Sequence, residues 1–300
     1  MKIKDAAAIS QFQISSTHGD LGTYAHVIDE EIDGLDDTES PDEEVYTKGE
    51  LGDAFNSINL SSFRPRKELN PRIWIDGTLN SRVRLRLLDI AQDFIDTLGV
   101  DWVKPKDVIL TGSLANYNYS RYSDFDLHVV MDFSEVDERV NFVKEYFDSK
   151  KRLWNEAHEN LKIYGYPVEL YVQDSNEFHN ASGIYSLYKN RWVTEPSRKS
   201  IEAIKLNKYY IKEKALGIME KIDKLCDMAE TETDNFKLEE IAKKAKSLFT
   251  TIKSIRRESL KNGGEMSSGN IIFKCLRRSG HIGKLADLKA KTYDRLFSIQ

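Results

Sequence analysis

Long apolar runs are missing from this 300-residue chain. No stretch approaches the ~18–20 consecutive apolar residues of a membrane-spanning helix, so no membrane partner is expected. The first thirteen residues hold two lysines and an apolar run of four, Ala6 to Ile9. That falls short of the roughly 7–15-residue apolar core of a secretory leader. Cysteine is scarce: Cys226 and Cys275 stand alone, with no second cysteine near either. Neither a zinc site nor a disulfide framework fits that spacing, and reduced, buried thiols in a cytoplasmic protein are the expectation. Internal repeats are absent. What is present is 40% hydrophobic and 31% charged residues, enough for a sizeable core and for two domains, or one domain with a tail.

The net charge of −5 conceals an asymmetry. Residues 1–60 carry 14 acidic against 3 basic side chains, and residues 201–300 carry 21 basic against 14 acidic. A basic C-terminal half can meet an anion, or it can be the solvated face of long helices. The stretch from Asp29 to Glu50 is acidic, poor in aromatics and without period. Residues 1–62 are therefore expected to form an acidic, largely disordered arm, with order beginning near Phe63. Such an arm can be a nucleic-acid mimic, an autoinhibitory tail or a solubilising extension.

Periodicity outlines the rest. Asn80-Ser81 can cap a helix in which Val83, Leu87, Ile90, Ala91, Phe94, Ile95 and Leu98 recur at three- and four-residue spacing, ended by Gly99. Asp107 to Thr111 reads as a buried strand, followed at once by Gly112-Ser113. From Ser123 to Met131, Phe125, Leu127 and Val129 face one way and Asp124, Asp126 and His128 the other. Ser134 can cap a helix with Val136, Val140, Val143 and Phe147 as its stripe. Leu161 to Tyr164 and Val168 to Val172 are strand-like. Ile201 to about Leu260 reads as helices broken near Thr231 to Asp234, and Ile271 to Ile299 as helical again. The fold class expected is α/β (α+β): an α/β unit at 63–198, then an all-helical unit at 199–300.

Three features carry chemistry. A glycine and serine at a strand end allow a phosphate to approach the backbone and the hydroxyl. Asp124 and Asp126, two apart on a strand, share a face at a spacing of ~7 Å. Their repulsion is a cost that a hard cation turns into a site, and oxygen ligands suit Mg²⁺ or Mn²⁺. Glu169 points away from Val168, Leu170 and Val172, and is a natural third ligand. Asp174 and Glu177 are rivals beyond the strand's end.

The span from Leu110 to Val130, LTGSLANYNYSRYSDFDLHVV, resembles the core motif of the DNA polymerase β-type nucleotidyltransferase superfamily. Ten residues separate Ser113 from Asp124, and the third acid follows on a later strand. The specific likeness covers residues 110–172. A looser one, through Leu69 to Trp74, Ala181 to Leu187 and Gly264-Glu265 to Arg277, is to predicted nucleotidyltransferases of large tailed bacteriophages. The resemblance implies a polymerase β-like sheet with flanking helices. It implies that Gly112 and Ser113 contact the phosphates of ATP or another NTP, and that Asp124, Asp126 and Glu169 bind Mg²⁺ (or Mn²⁺) and carry the catalysis.

The acid-free stretch between Met266 and Ala286 holds Lys274, Arg277, Arg278, His281 and Lys284. It is either a phosphate or RNA contact or a basic surface helix. In the first case Lys274 and Arg277 stand nearest the cleft and bind the nucleotide, with Lys205 and Lys208 as substitutes. Tyr117, Tyr119 and Tyr122 can stack on a base or pack, while Tyr185, Tyr188 and Trp192 are read as a domain joint. The expected reaction is transfer of an NMP from an NTP to a hydroxyl with release of pyrophosphate, the acceptor being an RNA end or a nucleotide ahead of a protein or small molecule. A non-catalytic nucleotide-binding or virion-associated module is the alternative from a different class.

Overall fold

The computed structural model describes residues 48–178, 181–199 and 205–299. Most of the expected arm, residues 1–47, lies outside them. The chain begins with α1 (Lys48–Ser57), a single 3-10 turn (Ser61–Phe63), a hairpin of β1 (Trp74–Ile75) and β2 (Thr78–Leu79), then α2 (Ser81–Leu98). The α/β unit continues through β3 (Asp107–Thr111), β4 (Phe125–Met131), α3 (Phe133–Val136), α4 (Val140–Ala157), β5 (Lys162–Ile163), β6 (Tyr166–Asp174), β7 (Ile184–Ser186) and β8 (Arg191–Thr194). The helical half continues with α5 (Lys208–Thr231), α6 (Asn235–Gly263), α7 (Ser268–Arg278) and α8 (His281–Phe297). None of the described helices is long and apolar enough to cross a membrane.

The six-stranded sheet has the order β5-β6-β4-β3-β7-β8. β3 runs antiparallel to β4 and β7, while β4 and β6 are parallel. In β4 burial alternates, with Phe125, Leu127, Val129 and Met131 fully enclosed. That apolar face packs against α2 and α4 through Leu87, Phe94, Val143 and Phe147. α2 starts where the Asn80 side chain accepts from the Arg82 N–H at 3.0 Å, and ends at Gly99. Burial of six residues on its stripe fixes it to the sheet.

The helical half has its own core. Ile211, Ile218, Ile222, Ile241, Leu248, Ile252, Ile271, Leu276 and Leu285 meet there, joined by Ile58, Leu60 and Phe63 from the other end of the sequence. Order therefore starts before Phe63, inside the stretch read as the arm. The acidic composition that suggested disorder thins out after Glu50, and the apolar Ile58, Leu60 and Phe63 find a buried place among the helices.

Three local readings change. Asp132, rather than Ser134, caps the helix after β4, accepting from the Ser134 N–H at 3.1 Å. That helix stops after one turn because Asp137 takes the Arg139 N–H at 2.8 Å, a local bond that competes with helix continuation. Tyr185 and Trp192 do not build the joint between the halves. Trp192 stacks on Trp74 at 4.4 Å and Tyr185 meets both rings edge-on at 5.1 Å, so they clamp the β1–β2 hairpin to the sheet. Tyr188 is exposed.

Candidate active site

The site forms where the polar face of the sheet meets the helical half. Parallel pairing of β4 and β6 sets Asp126 directly beside Glu169. Asp124 sits two positions earlier on the same chain. Oxygens of Asp124, Asp126 and Glu169 all lie within 4.8 Å of one another. The Tyr171 hydroxyl, next on the same face of β6, donates to Glu169 Oε2 at 2.7 Å and fixes its orientation.

Electrostatics follow from that crowding. Burial, then the neighbouring Glu169, raises the Asp124 carboxyl above its ordinary range; Arg277 and Lys274 pull the other way. Asp126 is raised well above it, by burial and then by Asp124, with Glu265 and Glu169 adding to the effect. Three acidic groups held this close favour the bound form of any cation that can take their oxygens. The donor set is all carboxylate oxygen, which fits Mg²⁺ or Mn²⁺.

The turn after β3 is built around Asp126. Gly112 has φ +74, and a Cβ there would overlap Asp126 Oδ2. Glycine is therefore required twice, by the dihedral and by the carboxylate resting on it. Ser113 Oγ donates to Ser123 Oγ at 2.7 Å, and Ser123 Oγ also accepts from the Ser120 N–H at 2.9 Å. The loop is thereby folded back on itself beside the carboxylates. Asn118 Oδ1 is buried in this loop without a hydrogen-bond partner.

Across the carboxylates stand Arg256 of α6, Glu265, and Lys274, Arg277 and Arg278 of α7. Together with Ser113, Tyr122 and the three acids they enclose a cleft of about 90 Å³. The basic stretch read from the sequence divides here. Gly280, at φ +84, breaks it between α7 and α8. Lys274, Arg277 and Arg278 face the cleft, whereas Lys284 and His281 turn to Asp223 of α5 at 2.6 and 3.1 Å. Lys205 and Lys208 are not among the cleft's lining residues.

Other sequence readings sort as follows. Asp174 pairs with Met131 at the opposite end of β6, and its Oδ1 accepts from the Asn176 and Phe133 N–H groups, a turn-forming role. Glu177 pairs with Lys144 at 2.5 Å. Tyr117 packs against the helical core and Tyr119 against the sheet core, where Arg66 lies over its ring. Tyr122 reaches the cleft, under the Arg278 guanidinium at 4.4 Å. His128 stacks on Tyr171 at 4.8 Å and is not one of the converging ligands. Arg278, part of the acid-free basic stretch, joins Lys274 and Arg277 at the cleft, whereas nothing in the local pattern of Arg256 sets it apart from the other basic residues of the helical half. Tyr171 was within reach, since period two puts it on the Glu169 face.

Residues 92–206 match the family model for the nucleotidyltransferase domain. The chain carries a nucleotidyltransferase domain. The domain is that of a transferase enzyme, which takes an NTP and transfers its nucleoside monophosphate. No curated protein and no solved structure matched the chain. The nucleotidyltransferase match runs from within α2 past β8, so the carboxylates, the Gly112-Ser113 turn and β6 all fall inside it, and Lys274 and Arg277 fall outside.

Proposed function

We propose that the protein is a Mg²⁺-dependent nucleotidyltransferase that moves an NMP from an NTP to a hydroxyl and releases pyrophosphate. The observation that carries this reading is the convergence of Asp124, Asp126 and Glu169 within 4.8 Å, facing a wall of Arg256, Lys274, Arg277 and Arg278. Residues 64–198 act as the catalytic unit, and residues 199–300, whose core also takes in Ile58, Leu60 and Phe63, supply the opposite wall. Asp124, Asp126 and Glu169 hold Mg²⁺ (or Mn²⁺), which supplies charge neutralisation at the phosphates and lowers the pKa of a coordinated hydroxyl.

The chain's own residues bind and orient. Gly112 lets the backbone and Asp126 approach closely, and the Ser113 hydroxyl turns from Ser123 Oγ to donate to a phosphate oxygen. Lys274 and Arg277 pair with the triphosphate from the far side. The acceptor oxygen forms its bond to the α-phosphorus. The bond from that phosphorus to the α–β bridging oxygen breaks, and its electron pair leaves on pyrophosphate. The acceptor's proton passes to the Glu169 side, where Tyr171 holds the carboxylate in place. Four basic residues of the helical half, whose excess had suggested an RNA acceptor, line the cleft and serve in this reading the nucleotide's own phosphates.

The test is pyrophosphate release with each of the four NTPs in Mg²⁺. Wild type is expected to release it. The double substitution Asp124→Ala, Asp126→Ala is expected to abolish release while circular dichroism and Tm stay at or above wild type. Release at the wild-type rate from the double variant would overturn the mechanism.

A further inference from the structure

Two cavities meet at Glu169. One is the cleft of about 90 Å³ just described. The other is a groove of about 600 Å³ beside α4, lined by Asp148, Lys151, Arg152, Asn155, Glu156 and Glu159, and by Glu169 itself. Glu169 is the one residue that lines both.

The groove is a consequence of how the sheet ends. β5 pairs with β6 at Tyr166 and Pro167, and the Leu161 carbonyl accepts from the Val168 N–H at 3.2 Å; beyond that β6 has an open edge. α4 lies along that edge and closes it with a side chain. Asn155 Oδ1 accepts from the Leu170 N–H at 3.0 Å, and its Nδ2 donates to the Leu170 carbonyl at 3.2 Å. Positions 148, 151, 152, 155, 156 and 159 follow at three- and four-residue spacing, which sets them along one side of α4 and the turn after it. Lys151 bends over the Tyr171 ring at 3.9 Å, and the Tyr171 hydroxyl is the donor to Glu169. The groove is thus tied by contacts to the Glu169 carboxylate.

Its chemistry restricts what enters. Every lining residue carries a polar or charged head, while the aliphatic stems of Lys151, Arg152, Glu156 and Glu159 leave more apolar than polar surface between the heads, so a ligand needs hydrogen-bonding groups on a carbon skeleton that can lie against those stems. Apart from Glu169 there are three carboxylates and two cations, and Arg152 stands four residues from both Asp148 and Glu156. A polynucleotide needs a track of cations for successive phosphates, and this groove has none. Its volume falls in the range of small-molecule sites, roughly 300–1,000 Å³.

We propose that this groove is the acceptor site, and that the acceptor is a small, non-anionic polyol, neutral or amine-bearing, rather than a nucleic acid. The inference rests on the reading of Asp124, Asp126 and Glu169 as the transfer centre. The acceptor lies along α4 with one hydroxyl at Glu169. Its oxygen attacks the α-phosphorus from the side opposite the departing pyrophosphate, and its proton goes to Glu169. Asp148, Glu156 and Glu159 hold the remaining hydroxyl or ammonium groups, and Asn155 keeps the groove's floor in register.

The experiment uses the full chain, Mg²⁺ and α-labelled NTPs with four acceptors: glucose, glucosamine, glucose 6-phosphate and a ribo-oligonucleotide with a free 3′ hydroxyl. Label is expected on the neutral or amino sugar, about tenfold or more above the phosphorylated sugar and the oligonucleotide. The charge reversal Glu156→Lys, Glu159→Lys is expected to invert the amine-over-phosphate preference by a similar factor, a change that misfolding does not produce. Label on the oligonucleotide, or an unchanged preference in the reversed variant, would overturn the proposal. Release of labelled NMP to water with no label on either sugar would also overturn it while leaving the transferase reading standing. Absence of any NTP turnover, even to water, would sink the transferase reading and the acceptor site with it.

Discussion

Lys274 Nζ lies 2.5 Å from Glu265 Oε2. Both residues line the cleft opposite Asp126, and Glu265 is among the charges that raise the Asp126 carboxyl. The lysine that would receive a phosphate is therefore already paired with a carboxylate of its own half. The Glu265 backbone carbonyl is held in turn by the buried Asn270 Nδ2 at 2.7 Å, so the pair has a fixed base.

That pairing predicts a competition. Glu265→Gln should release Lys274 and tighten NTP binding by about tenfold, one charged contact's worth. Lys274→Ala should weaken binding, and adding Glu265→Gln to it should restore nothing. Titration calorimetry with each NTP reads all three. Weaker binding by Glu265→Gln alone would mean that the carboxylate positions Lys274 instead of screening it.

Gly112→Ala should be more damaging than any other change in the turn. The added Cβ overlaps Asp126 Oδ2, and the φ of +74 is strained for alanine. Destabilisation on the order of 2 kcal/mol is expected, together with loss of transfer activity, because Asp126 must move to make room. Thermal unfolding and pyrophosphate release measure the two effects. A variant with wild-type Tm and activity would show that the turn is not held against Asp126 in solution.

Asp126→Asn should stabilise the metal-free protein at neutral pH. Burial and Asp124 raise the folded-state Asp126 carboxyl well above its unfolded value. The protonated form is thus the one favoured by folding. That contribution is complete below the unfolded pKa and is lost as pH rises through the raised one. The gain in Tm from Asn should therefore appear at neutral pH and vanish at pH values below the ordinary aspartate range. With saturating Mg²⁺ the order should reverse, since wild type alone keeps its full set of ligand oxygens. A Tm gain of the same size at acid and neutral pH would refute this account.

Arg277→Ala should raise the NTP dissociation constant by roughly ten- to a hundredfold, the cost of ~1.5–3 kcal/mol for a lost charge-assisted contact. Arg277 lines the cleft and already pulls the Asp124 carboxyl downward. Fluorescent-nucleotide titration reads it. Under the acceptor assignment made above, the KM for the acceptor should move far less than that for NTP.

Much of this arrangement was legible in the sequence, for a physical reason. α2 has a strong apolar period, a side-chain cap and a glycine stop, and it was read almost to the residue. The period-two phase of β4 and β6 placed Asp124, Asp126 and Glu169 on one face each, although no sequence pattern says that the two strands lie side by side and in parallel. β1, β2, β7 and β8 are two to four residues long, too short to show a period, although Asp76-Gly77 between β1 and β2 is a hairpin turn signal. The cleft cations on α7 were found because acids are missing around them, while Arg256 was not, because α6 mixes both signs. Burial of Ile58, Leu60 and Phe63 against helices some 150 residues later rests on long-range contact, which local pattern does not carry.

That last contact bears on the order in which the protein is made. Residues 64–198 contain all the partners their sheet requires, so they can close as they leave the ribosome. The strip 58–63 cannot: its apolar side chains belong to a core whose other members, on α5 to α8, are synthesised some 150 residues later. Arg278, wedged between Phe63 at 4.2 Å and Tyr122 at 4.4 Å and hydrogen-bonded to Ser62 Oγ at 2.7 Å, is a lock that forms when that late core captures the early strip. The same event brings α7 against the loop beside the carboxylates. Assembly of the cationic wall thus waits for the later helices, and a nascent chain lacking α7 has the acids without Lys274, Arg277 and Arg278 facing them.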